Sequence, residues 1–531
     1  MTSVSRRGVL VAGALGTLAA CSTDSPSPTT PTPTTPSPTT SSTTPTSAGS
    51  ASASATATSS AAAAPTKADW AQLGKSVQGT LSLPSDATYD QVRLTENRRY
   101  DGEKPLAVLS VQDAKDVAAG LAFAQDHAIP VAVRSGGHSY PGWSGGGNPK
   151  ALVIDCRPMN AVRVGNGSVT IGSGAALASV YDTVGNAGRA IAAGSCATVG
   201  IAGLTLGGGV GVLTRALGLT ADQVTSMEVV LADGSIKTVS EQSEPDLLWA
   251  LRGGGGGHLG VVTSFELTTA AAPTLQTVYL QWPISAAEQV IEAWQSWAPR
   301  ADARLWSTLK ALGGQKHGSG PVLLLSGTWT GPPGSFDQQL SGLLDHVPPP
   351  GTDTRGSRSY LDAMLSYAGC SSIPIDRCHT GPGGSLTREA FAATSHVVYD
   401  PLDAGGTSDL LDQVQAAQDS GLLEAGISID ALGGKVRDVD SDATAFVHRK
   451  ALATVQYTAT FPPGDAKTAD SFVRGFRAAM TPHWGNHAYV NYADSSISDY
   501  QDAYFGANAD KLAHVRATYD PDGFFTQPQD F

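Results

Sequence analysis

The sequence predicts an α+β chain of two bodies behind an export tail, and three observations carry that prediction. At 531 residues the chain is longer than one hydrophobic core sustains, and 41% hydrophobic residues suffice for globular packing. Up to about residue 273, short strand-like runs alternate with helical patterns. From residue 274 the strands lengthen and amphipathic helices cross them on one side, the pattern of an antiparallel sheet flanked by helices. A formal charge of −13 argues against nucleic acid or an anionic membrane surface as the main partner.

Residues 1–20 read as an address. Arg6 and Arg7 open an apolar run, residues 9–20, that is too short to span a bilayer as a mature helix. Twin arginines there mark the bacterial Tat route, which exports proteins already folded. Leu18-Ala19-Ala20-Cys21 has the form of a lipoprotein cleavage box, making Cys21 the lipidated first residue; the other reading is ordinary cleavage beside an incidental cysteine. Residues 21–65 are dominated by Ser, Thr, Pro and Ala and offer nothing to bury, so they are expected to form a disordered tether. The expected location is therefore the bacterial cell surface or the medium, with membrane contact only through a lipid on Cys21.

After an amphipathic opening at residues 68–77, residues 107–109 read as a strand and 111–127 as a helix capped by Ser110. The strand at 129–133 feeds the turn Arg134-Ser135-Gly136-Gly137-His138-Ser139-Tyr140-Pro141-Gly142-Trp143. Adjacent glycines let backbone amides crowd around an anion, Arg134 adds a fixed positive charge, and His138 leaves with a nucleophilic ring nitrogen. A plain glycine bend with a spare histidine fits the same residues. Strands follow at 152–155 and 168–172, then a helix at 176–188.

The next dense segment runs Gly194-Ser195-Cys196-Ala197-Thr198-Val199-Gly200 through Gly203 to Leu206-Gly207-Gly208-Gly209-Val210-Gly211. It fails as a dinucleotide fingerprint, because no clear strand precedes it and no acidic ribose partner is well placed. As a backbone surface laid against a flat ring or a pyrophosphate it works. Cys196 reads either as a small buried hydrophobe or as a site where a thiolate forms among polar neighbours. A hairpin at 229–239 turns on Asp233-Gly234, a short helix at 246–252 ends on the glycine run 253–257, and a strand at 260–267 includes Gly260 and Val262.

Arg134 to His138, Gly194 to Gly200, Leu206 to Gly211 and Arg252-Gly253-Gly254-Gly255-Gly256-Gly257-His258-Leu259-Gly260-Val261-Val262-Thr263 stand in a fixed order. Together they resemble the berberine bridge enzyme-like branch of the vanillyl-alcohol-oxidase flavoproteins, which have a two-part PCMH-type FAD-binding domain. The resemblance implies FAD bonded twice to the chain, through His138 and Cys196. It also implies a cradle formed by Arg134, Ser135, Gly136, Gly137, Ser139, Thr198, Val199, Gly200, Gly203, Gly208, Gly209, Gly260, Val262, Asn491 and Tyr492. Ala197 departs from the family's frequent proline, and His258 from its usual asparagine. Val199, three residues after the cysteine, stands where valine accompanies oxidases, so O2 is the expected electron acceptor.

In the second half, residues 277–282, 322–329, 426–432 and 452–461 read as strands, and 286–297 and 335–344 as helices. Cys370 and Cys378 bracket a loop as a disulfide or as two free thiols. Residues 488–525 resemble the family's closing signature, so the expected division is FAD domain 66–273, substrate domain 274–480, and return to the FAD domain at 481–531. The resemblance places the base of alcohol oxidation at Tyr492, with Asp430 as its proton acceptor or relay. Without it, Tyr492 reads as core and Asp430 as a turn cap. An ionised Asp430 raises the Tyr492 pKa rather than lowering it, which favours the relay role. Asp438 stands where alkaloid-cyclising members carry a carboxylate, or in a solvated acidic loop with Asp440 and Asp442. Tyr140 and Trp143 line the pocket or simply pack. His483 and His487 have metal-like spacing, but Gly485 interrupts them and no metal is expected. The expected activity is oxidation of an alcohol carbon, of carbohydrate or polyol type, with H2O2 as by-product. A tailoring oxidase for a secreted metabolite and a non-catalytic flavin redox relay are the other readings.

Overall fold

The computed structural model describes residues 63–531 apart from Asn148. The expected export signal, Cys21 and the tether up to residue 62 lie outside the described residues. Helix Lys67–Ser76 starts on a capping box in which Thr66 and Asp69 satisfy each other's backbone amides.

Strands β1 (Thr80–Ser82), β2 (Ala107–Ser110), β3 (Val131–Arg134) and β4 (Leu152–Asp155) form a sheet of order β1-β2-β4-β3, parallel except for β1. The helix crossing from β2 to β3 is Ala114–Asp126, shorter than the expected 111–127. Its cap is Asp113, which accepts from the amides of Lys115 and Asp116, so Ser110 stays in β2. β5 (Val162–Val164), β6 (Ser168–Gly172), β7 (Arg189–Ala190), β8 (Val224–Val230), β9 (Ile236–Ser240), β10 (Val261–Thr268) and β11 (Ala270–Ala271) follow. Five of them make an antiparallel sheet of order β5-β6-β10-β8-β9, and β7 pairs with β11.

The second body is one seven-stranded antiparallel sheet. Its strands are β12 (Thr274–Pro283), β13 (Leu305–Gly313), β14 (Val322–Trp329), β15 (Thr352–Ser359), β16 (Phe391–Val398), β17 (Glu424–Ala431) and β18 (Ala453–Thr460), in the order β15-β12-β14-β13-β17-β18-β16. Three of these, β13, β15 and β16, are absent from the sequence reading. β17 shows why the sheet has two different faces. Ala425, Ile427, Ile429 and Ala431 point into an apolar core shared with helices Ala287–Trp297, Ala404–Asp419 and Ala466–Trp484. Glu424, Ser428 and Asp430 point the other way, into a cavity. Cys370 and Cys378 form a disulfide, which packs with Ala178 and Ala197 in a small apolar cluster behind the Cys196 loop.

Two buried histidines make the fold acid-sensitive. His396 Nδ1 meets the Tyr457 hydroxyl at 2.8 Å, and His448 Nδ1 meets that of Tyr399 at 2.8 Å. Burial holds both well below the usual 6.5, at about 3. As pH falls below about 6.5 the unfolded chain takes up these protons and the folded chain refuses them until about 3, so stability is complete above that window and lost through it. The denaturant midpoint is expected to drop between pH 7 and 5 with a slope approaching two protons, about 2.7 kcal/mol per pH unit. A flat midpoint over that range counts against buried neutral histidines.

Candidate active site

The site is assembled where two glycine loops touch backbone to backbone. A Cβ on Gly136 would lie 2.2 Å from the Gly200 nitrogen, and one on Gly200 would lie 2.2 Å from the Gly136 nitrogen. Only hydrogen fits between them, so the turn after β3 and the Cys196 loop are held in contact. Gly137 sits at φ +76°, in the left-handed region the turn needs. The contact brings His138 Nε2 to 2.9 Å from Thr198 Oγ1, and His138 and Cys196 line one cavity of about 340 Å³. Gly200→Ala is expected to part the loops, costing about 1–3 kcal/mol as overpacking does. Chemical denaturation checks the stability and visible absorbance the flavin content; an unchanged protein refutes the close-contact account.

Burial lowers the His138 pKa, so its ring is neutral and keeps a lone pair. Burial pushes the Cys196 thiol up to about 12, opposed chiefly by the Lys310 cation. Of the two readings of Cys196, the raised pKa favours the neutral thiol over the thiolate, although the side chain is only partly buried. Arg134 is a correction. Its side chain is fully buried, pairs with Asp155 at 3.1 Å and donates to the carbonyls of Val92 and Arg93. It locks the base of the turn and offers no charge to a cavity ligand.

Ser135, Gly136, Gly137, Ser139, Val199, Gly200, Gly203, Gly260, Val262, Asn491 and Tyr492 all line the cavity. Thr198 does not, and acts through His138. Gly208 and Gly209 are also not in the wall, contrary to expectation. They turn at φ +118° and +86° behind it, and the Gly209 amide donates to the Tyr489 hydroxyl at 2.9 Å.

The chain's last segment closes the cavity. Asn491 Nδ2 donates to the Leu204 carbonyl and to the Tyr489 hydroxyl, both at 2.9 Å, tying the turn Val490–Tyr492 to helix Ile201–Leu206. Tyr492 lies nearly parallel to Tyr140, with centroids 5.4 Å apart at 8°, and edge-on to Tyr489. Tyr140 also takes a hydrogen bond from the Gln456 amide and the edge of Phe391. Burial pushes the Tyr492 phenol well above 10, and the charges of Tyr140 and Asp430 add to the rise. Burial raises the Asp430 carboxyl too, opposed by a hydrogen bond from Thr308 and by Lys310.

Tyr140 and Trp143, for which lining and packing were both open, border the cavity, whereas Asp438 does not. It is 62% exposed beyond the end of β17 and pairs with Lys435 at 2.9 Å, so the pocket role given to it is withdrawn. His483 pairs with Asp409, and among the described residues no cluster could hold a metal ion. The sequence reading missed Thr308, Lys310, Ser326, Ser428, Gln456 and Thr458, all in the cavity wall. Of the three strands carrying these residues that it did read, β17 and β18 offered alternation of apolar and polar residues as a signal, whereas β14, which carries Ser326, runs Val-Leu-Leu-Leu before it without alternating.

The wall also fits a flat cofactor. Gly203 borders the cavity with nothing within 4 Å of an added Cβ, and Gly255, Gly256 and Gly257 border it on another side. A side chain at Gly203 would occupy space that a ring can fill. These features fit a flavin-dependent oxidoreductase.

The comparisons agree. The FAD binding domain model matches residues 105–240, and the berberine and berberine-like model matches residues 488–530. An uncharacterized FAD-linked oxidoreductase of Bacillus subtilis, YgaK, is 30% identical over 457 residues, covering 84% of this chain and 95% of the relative. The glucooligosaccharide oxidase of Sarocladium strictum is 28% identical, covering 87% and 95%. The solved wild-type BBE-like 1 of Physcomitrella patens superposes with a TM-score of 0.79 at 25% identity, covering 87% of this chain and 98% of that one. The chain belongs to the berberine bridge enzyme-like family of FAD-linked oxidoreductases.

Proposed function

We propose that the protein is an exported oxidase that acts on an alcohol carbon of a carbohydrate or similar polyol, with FAD bonded to both His138 and Cys196. The observation that carries this reading is that His138, Cys196, Tyr492 and Asp430 border one cavity. FAD held here would supply the hydride acceptor and the route for electrons to O2, with H2O2 as the product. The chain's own residues handle the proton. Tyr492 takes the substrate hydroxyl proton, and its own phenolic proton moves to Asp430, so no free phenolate is needed.

The substrate class follows from the floor of the cavity. Thr308, Ser326, Ser428, Gln456, Thr458 and Thr460 present hydroxyl and amide groups suited to a hydroxyl-rich ligand. The relatives named glucooligosaccharide and chitooligosaccharide oxidase support the same class. Val199 borders the cavity, and the resemblance, in which valine at this position accompanies oxidases, supports O2 as acceptor. The disulfide supports export into an oxidising space. If Cys21 carries lipid, Cys21→Ser should move the protein from the cell surface to the medium.

A second reading has its own observation. Tyr140, Trp143, Trp306, Tyr367 and Phe391 add an aromatic wall that suits a secreted aromatic metabolite. Screening H2O2 release over oligosaccharides and aromatic alcohols separates the two. Turnover of a sugar supports the proposal, and silence on every sugar with turnover of an aromatic alcohol replaces it.

A further inference from the structure

We propose that Lys310 keeps Asp430 in its proton-accepting form, as a positioning residue on the neighbouring strand of the cavity floor. This rests on the relay role of Asp430 set out above.

The sheet register places the two together. Thr308 stands opposite Asp430 across β13 and β17, and Lys310 stands opposite Ser428, so Lys310 and Asp430 are diagonal neighbours on one face. Diagonal pairs lie within reach of a long side chain. Both side chains border the cavity, where water is scarce and charges interact strongly.

Several groups compete for Lys310, and their partners decide the matter. The ionisable groups that interact with it are Asp430, Cys196 and Glu424. Cys196 is a protonated thiol, and Glu424 already meets His317 Nε2 at 3.0 Å. The other lysine in the wall, Lys316, pairs with Glu389 at 3.3 Å. Tyr140 and Tyr492 also interact with Asp430, and Tyr489 lies beside Tyr492; as phenols they supply no cation. Lys310 is thus the wall cation disposed toward Asp430. Burial raises the Asp430 pKa, and the Thr308 hydrogen bond and then the Lys310 cation oppose that rise, so removing Lys310 should favour the protonated carboxyl.

The proton path balances. The substrate O–H proton goes to the Tyr492 oxygen and the Tyr492 proton goes to a carboxylate oxygen of Asp430; burial lowers the Lys310 pKa, opposed first by Asp430, and its ammonium gives up no proton on this path. No further reactant is required.

The test titrates the carboxyl itself. Difference infrared spectroscopy of the flavin-loaded protein follows the protonated carboxyl stretch, assigned to Asp430 by its loss in Asp430→Asn. In Lys310→Gln the midpoint should rise by about one pH unit or more, a tenfold change in proton affinity, and Lys310→Arg should restore it. An unmoved midpoint in Lys310→Gln overturns the proposal. So does an arginine variant whose midpoint rises by about one pH unit or more above the wild type, a comparison that also decides the case if the glutamine protein fails to fold. The pH dependence of flavin reduction, measured with the sugar found by the H2O2 screen, should shift with the infrared midpoint. An infrared shift that the rate ignores upholds Lys310's hold on the carboxyl and sinks the relay role of Asp430 instead.

Discussion

Precipitated in acid, the flavin-loaded protein is expected to carry its yellow colour down with the chain. His138 and Cys196 border the same cavity, and the Gly136–Gly200 contact fixes the two loops that bear them. Each bond alone should retain the flavin, so Cys196→Ala and His138→Ala should both stay yellow after precipitation. The two are not equivalent. The neutral His138 ring has a lone pair ready, whereas the Cys196 thiol, pushed up to about 12, must first lose a proton. Flavin loading in His138→Ala should therefore be slower and less complete than in Cys196→Ala. The double variant should lose all colour and, once diluted away from free FAD, all oxidase activity. If His138→Ala alone releases the whole flavin, Cys196 was never bonded. If the wild type does, neither was.

Much of this site was legible in the sequence because its parts are local. Glycine runs, a histidine and a cysteine are visible as motifs, and the family order of those motifs placed Tyr492 beside them. What escaped depends on pairing between distant strands. Lys310 and Thr308 lie on β13, whose Leu-Trp-Ser-Thr-Leu-Lys-Ala-Leu-Gly reads poorly as a strand because small, polar and bulky residues mix along it. The register that brings Lys310 diagonal to Asp430 joins residues about 120 positions apart, and local pattern carries no register. Arg134 failed for the opposite reason. A charge beside a glycine turn looks like an anion site, but its direction is set by Asp155 on the adjacent parallel strand, where the register pairs the two residues. Gly208 and Gly209 show the same limit, since a glycine made for a ligand and one made for a turn have the same letter. In Asp438 the sequence left two readings open, and exposure decides for the solvated loop.

Tyr492→Phe separates a catalyst from a flavin carrier most sharply. The substitution keeps the ring that stacks on Tyr140 and packs against Tyr489, so the cavity wall and the bound flavin should be preserved. It removes only the hydroxyl that takes the substrate proton. Loss of a positioned acid–base group costs about 10²–10⁴-fold, so anaerobic flavin reduction should slow by that factor while the substrate's KM moves little. The pH profile adds a second check. Because burial and its neighbours hold the Tyr492 phenol well above 10, the group does not ionise in the working range, and the acid limb of the rate must come from Asp430. Asp430 accepts only when ionised, so the rate should rise with pH through the raised Asp430 midpoint and then level off. Asp430→Asn should remove that limb along with most of the rate. A Tyr492→Phe protein reduced by its substrate at the wild-type rate would leave the tyrosine as packing, and the base would have to be sought elsewhere in the same wall.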